Sequence, residues 1–100
     1  MERIELNYPA TANLPGKAVA GVVGSGDLEA LFEPNHSQQL SVTIKTTVDG
    51  SQLIWQRLFD RLSQLRTLPA GTLILSDFGA TPGVVRLRIE QVFEEAGHAE

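Results

Sequence analysis

The plainest signal in the chain is the alternation over residues 40–48, where Leu40, Val42, Ile44, Thr46 and Val48 interleave with Ser41, Thr43, Lys45 and Thr47. A period of two sustained over nine positions predicts a strand with one wet face. The same period opens the chain, with Ile4, Leu6 and Tyr8 set against Arg3, Glu5 and Asn7, and it stops at Pro9. Residues 17–23 (KAVAGVV) form a short apolar run rich in small side chains, which reads as a strand buried on both faces. Residues 28–33 (LEALFE) are too short for their period to decide, and they are expected to form a strand paired in a hairpin with the run before. Leu73, Ile74 and Leu75 supply a last strand.

Two segments carry the longer helical period. After Asp49-Gly50, residues Ile54, Trp55, Leu58, Leu62 and Leu65 fall on one arc, with Gln56, Arg57, Asp60, Arg61 and Gln64 elsewhere, so a helix is predicted whose stripe covers a sheet. Asp49 and Gln52 have the spacing of a capping box. In the second segment Thr81 is a natural N-cap and Pro82 a natural first residue. Val85, Ile89, Val92, Phe93 and Ala96 line one face, and Gly97 is placed to close the helix before a polar tail. The expected fold class is α+β: a single two-layer domain spanning 1–100, with a mostly antiparallel sheet of four or five strands and two helices packed on one face.

Composition narrows the function classes. At 100 residues the chain can bury one modest core, and its net charge of −4 with no basic run offers no footprint for a nucleic-acid backbone. No segment approaches the ~20 apolar residues of a membrane span, and no secretion signal is legible at the start, so a cytoplasmic setting is expected. There is no cysteine, which removes disulfides, thiolate metal sites and cysteine nucleophiles. Any thioester chemistry would have to import its thiol.

The candidate chemistry lies in residues 21–29, GVVGSGDLE. Gly24 and Gly26 strip side-chain bulk from both sides of Ser25, and Asp27 follows at once. A hydroxyl so flanked can stand clear on a tight turn, although for an isolated Gly-Ser-Gly-Asp a plain hairpin turn is the simpler and better-supported reading. His36 falls in an expected loop and His98 in the tail, neither with partners at ligand spacing, so no metal site and no catalytic triad is expected. Asp77-Phe78-Gly79 lacks the companion motifs that give this triplet meaning in protein kinases. The glycine-rich approach to the second helix is a place where an anion could dock, with an ordinary capped helix start the simpler reading. The arrangement around Ser25 suits a hydroxyl presented to a partner enzyme that supplies the chemistry, as in carrier domains.

GVVGSGDLE at 21–29, TVDG at 47–50 and DFGATPGVV at 77–85, with the opening MERIEL and YPAT, together resemble the acyl carrier (delta) subunit family of malonate decarboxylase across nearly the whole chain. The resemblance implies a non-catalytic carrier whose Ser25 bears phosphoribosyl-dephospho-CoA through a phosphodiester, with Gly24, Gly26 and Asp27 around it. Its thiol would carry acetyl and malonyl groups between an acyl carrier transferase subunit and carboxy-lyase decarboxylase subunits, after a loading enzyme has attached it. Proximity suggests for Asp27 a part in positioning the serine or a metal-bound nucleotide donor. From another class, the chain could be a small phosphate-binding or regulatory module that uses the Gly24–Gly26 turn without a covalent bond.

Overall fold

The computed structural model describes residues 1–98. In chain order its elements are β1 (Glu2–Pro9), β2 (Ala18–Gly21), β3 (Leu28–Pro34), β4 (Gln39–Thr46), α1 (Gln52–Leu65), β5 (Gly71–Asp77) and α2 (Pro82–His98). The five strands form one sheet in the order β1-β4-β5-β3-β2. Three pairings are antiparallel, and β4–β5 is parallel because α1 carries the chain back across the sheet between them. The expected α+β architecture, with a mostly antiparallel sheet and both helices on one face, is the one observed.

Strict alternation selects that face. Ile4, Ile44, Leu75, Ala30 and Ala20 are register partners running across all five strands, and all are buried. The helices cover them. Trp55, Phe59 and Leu62 of α1 are buried, and Phe59 stacks on Tyr8 with ring centroids 6.1 Å apart. Phe93 of α2 meets Phe32 edge-on at 5.5 Å, a geometry worth about 0.5–1.5 kcal/mol beyond area burial.

Several details depart from the sequence-based expectations. β2 is an edge strand that ends at Gly21, and Val19, Val22 and Val23 are 50 %, 59 % and 58 % exposed. Its small residues reflect the close approach of α2 on one side, with the other side open. On α1 the buried stripe is centred one position from the expected arc: Phe59 is fully buried while Ile54 and Leu65 are exposed. The Asp49–Gln52 capping box does not form. Ser51 is the N-cap residue and makes no side-chain cap bond. Instead the Glu2 carboxylate accepts the Gly50 and Ser51 N–H groups at 3.4 and 3.3 Å. Gly97 lies within α2, which continues to His98; the rest of the expected tail, Ala99 and Glu100, lies outside the described residues.

Tyr8 ties α1 to the edge of the sheet, its hydroxyl donating to Asp60 Oδ1 at 2.6 Å. Burial first, then this bond and the Asp60 charge, push the phenol above its ordinary range. A pKa raised by folding contributes stability that is complete below the unfolded value of ~10 and is lost as pH climbs above it. Tyr8→Phe is therefore expected to cost about 1 kcal/mol at pH 7 and to flatten the alkaline fall in stability. Urea midpoints measured from pH 7 to 11 check both.

Candidate functional site

The strand directions gather three connections at one end of the sheet. β2 exits there into β3 through residues 22–27, β4 into α1 through 47–51, and β5 into α2 through 78–81. Residues 24–27 form a tight turn closed by the Asp27 N–H donating to Gly24 O at 3.1 Å. Ser25 and Gly26 occupy its two central positions, and Gly26 has φ +77°, the left-handed value that the third position of such a turn demands. Gly24 has no such requirement.

Ser25 is exposed at the tip. A methyl added at Gly26 would meet nothing within 4 Å, and one at Gly24 only the Val22 side chain at 4.0 Å. The backbone on both sides of the exposed Ser25 is thus uncrowded. Exposed Val22 and Val23 form an apolar shoulder next to it.

The turn is anchored from two directions. Gly26 donates its N–H to Phe78 O at 2.8 Å, and the Phe78 N–H returns a bond to Asp27 O at 3.0 Å, so the loop before α2 is the floor on which the serine turn rests. That loop is itself held by Asp77, a buried carboxylate whose Oδ2 accepts the Thr46 hydroxyl at 2.8 Å and whose Oδ1 accepts the Ala80 N–H at 3.0 Å. Asp77 thus supports the turn, and Thr81 caps α2, its hydroxyl oxygen accepting the Val84 N–H at 3.4 Å.

The second anchor is Arg88. Its Nε and Nη2 donate to Asp27 Oδ1 and Oδ2 at 3.1 and 2.8 Å, while Oδ1 also accepts the Leu28 N–H at 2.7 Å. The fork is fixed in turn by Nη1 donating to Gln91 Oε1 at 3.0 Å. Arg88 and Asp27 side chains keep only 26 % and 19 % of their exposure. The Arg88 bonds first, then the Leu28 N–H, hold the Asp27 carboxyl below its usual range. No sequence pattern pointed to Arg88, which lies 61 residues from its partner. With both carboxylate oxygens so committed, Asp27 is a strut of the turn. Arg88→Gln should return the Asp27 pKa upward toward the ordinary ~3.9, readable from its side-chain carboxyl carbon in an NMR pH titration, and should loosen the turn.

Among the described residues neither histidine lies near Ser25 along its own element. His36 lies in the β3–β4 turn at the far end of the sheet, separated by the seven residues of β3, roughly 23 Å of strand. His98 is ten positions beyond Arg88 on α2, about 15 Å along the helix. Among the described residues no three His, Asp or Glu side chains cluster as metal ligands.

Residues 16–96 match the family model described as the malonate decarboxylase delta subunit. The chain belongs to the malonate decarboxylase acyl carrier family. A malonate decarboxylase acyl carrier protein of Klebsiella pneumoniae is 62 % identical over 99 % of this chain and 100 % of its own length, and that of Pseudomonas aeruginosa is 53 % identical over 98 % and 99 %. Among solved structures, a chain of a Pseudomonas malonate decarboxylase hetero-tetramer, crystallised in complex with malonate, superposes with a TM-score of 0.92 at 52 % identity, covering 97 % of this chain and 100 % of that one. As a malonate decarboxylase acyl carrier, the chain is a carrier and not a catalytic subunit.

Proposed function

We propose that Ser25 is the attachment point of phosphoribosyl-dephospho-CoA, held by a phosphodiester, and that the chain as one carrier domain presents this group in the cytoplasm to the subunits of a malonate decarboxylase. The observation that carries the reading is an exposed serine at the tip of a firmly anchored turn, flanked by two uncrowded glycines. When bound, the group supplies a terminal thiol on which acetyl and malonyl are carried as thioesters, chemistry that a chain without cysteine cannot supply itself.

The chain's own residues do three things. Gly26 and Gly24 keep the approach to the Ser25 oxygen clear for a loading enzyme. Asp27, gripped by Arg88, and Phe78 hold the turn so that the oxygen is met in one position, which lowers the ordering cost of docking. The tether then makes each delivery to the transferase and decarboxylase subunits effectively intramolecular, at ~mM effective concentration for a short flexible link.

The turn's own hydrogen bonds disfavour a non-covalent phosphate site. The N–H groups of Gly26 and Asp27 are spent on Phe78 O and Gly24 O and are unavailable to an anion. The deciding measurement is the intact mass of the chain purified from cells with the complete pathway. A single large adduct, mapped to the peptide containing Ser25, is expected; an unmodified chain overturns the assignment.

A further inference from the structure

Between α1 and α2, Arg57 and Arg61, one turn apart on α1, and Arg86 on α2 line a groove of about 310 Å³. Its floor is apolar, made by Leu58, Leu62 and Ile89, with Pro82 at its mouth. Three of the six arginines of a chain with net charge −4 are thus collected around one cleft. Like charges one turn apart weaken a helix, and among the described residues neither Arg57 nor Arg61 makes an ion pair, while Arg86 has one exposed bond to Glu90 at 3.3 Å. Asp60, the acid beside them on α1, is engaged by Tyr8. Folding therefore gives no reason for this concentration of cations.

The geometry points to a binding site for a nucleoside diphosphate, the nucleotide portion of the arm carried by Ser25. This inference rests on the proposed covalent group. Guanidinium forks match phosphate oxygens in pairs, and a flat base can lie on an aliphatic floor. A volume at the lower end of the ~300–1,000 Å³ range of small-molecule sites suits a nucleotide better than a protein segment. The site is within reach. Gly26 is bonded to Phe78, and Pro82 follows Phe78 by four residues, at most about 14 Å of chain. In phosphoribosyl-dephospho-CoA the nucleotide is the half nearer the serine and the thiol the far end. Holding the nucleotide in the groove shortens the free arm without covering its thiol, and limits where the thiol can sweep.

The test is a titration of the full-length Ser25→Ala chain with dephospho-CoA, followed by amide and arginine Nε–H resonances. Shifts are expected at Arg57, Arg61, Arg86 and Ile89, at least 10-fold weaker binding in Arg57→Gln/Arg61→Gln, whose melting should be unchanged, and no shift at these positions with pantetheine alone. The loaded wild-type chain, its adduct confirmed by mass, should already show these shifts without added nucleotide. Shifts with free nucleotide but none in the loaded chain would overturn the assignment to the arm and give the groove to a free donor nucleotide. No response to dephospho-CoA, a response indifferent to the double substitution, or a response only to partner subunits would overturn the site itself. A loaded chain that carries no adduct refutes the covalent reading separately, and the free-nucleotide titration still decides the groove.

Discussion

Ser25→Ala is expected to abolish the covalent adduct, lowering the loaded fraction more than about 100-fold, while the melting temperature stays within roughly 2–4 °C of wild type. The first half follows from chemistry: a phosphodiester needs a hydroxyl, and of the others at this end of the sheet Thr46 and Ser51 are buried and hydrogen-bonded to Asp77 and to Val48 O, while the exposed Thr47 and Thr81 lie outside the glycine-flanked turn. The second half follows from position. Ser25 is exposed at the tip of its turn, and exposed substitutions away from special features change stability by no more than about 0.5 kcal/mol, a few degrees for a domain of this size. Intact mass and a thermal melt on the same preparation decide it. An adduct retained in Ser25→Ala would move the attachment elsewhere, and a large loss of stability would mean that the turn is a folding element first.

What could be read in advance divides along the length scale of the physics. The β4 alternation and the Val85-to-Ala96 stripe of α2 are set by local periodicity, and both elements formed with the expected faces, except that β4 stops at Thr46 and Val48 is 47 % exposed in the connection that follows. β2 departs from its expected burial because small apolar residues look the same whether a strand is covered on two sides or lies at an edge with a helix pressed close to one of them. The α1 stripe shifted because the fully buried Phe59 and the exposed Ile54 are both apolar, and only the sheet underneath chooses between them. The serine turn was legible as Gly-Ser-Gly-Asp. Its supports were not: Arg88 and Phe78 reach it from 61 and 52 residues away, and nothing local in either segment signals the contact. The two glycines beside Ser25 also proved unequal. Only Gly26 needs left-handed backbone, so Gly26→Ala should cost about 1–2 kcal/mol, whereas Gly24→Ala meets open space and isolates the effect of bulk on loading.

The glycine on which the fold depends most is Gly21, where the chain leaves β2 for the serine turn. Its φ is +83°, and a Cβ there would lie 2.0 Å from Leu28 O and 3.1 Å from the Arg88 side chain. Two costs therefore combine in Gly21→Ala. The left-handed backbone disfavours any side chain by about 1–2 kcal/mol. The clash is with a backbone carbonyl of the neighbouring strand, which cannot rotate aside as a flexible side chain would, so relief requires moving β2 away from β3, at a further 1–3 kcal/mol typical of overpacking. A total of about 2–5 kcal/mol, against the 5–15 kcal/mol that holds a typical domain together, should lower the melting temperature by roughly 8 °C or more. The same movement pushes on Arg88 and so slackens its grip on Asp27, coupling loss of stability to loss of order in the turn. Urea unfolding, with amide exchange at Gly26 and Asp27 measured under native conditions, separates this from a local effect. Exchange at both amides should quicken in Gly21→Ala even at temperatures where the core remains folded. A variant that melts within 2 °C of wild type would show that β2 can part from β3 at little cost, and that the serine turn is held by Phe78 and Arg88 alone.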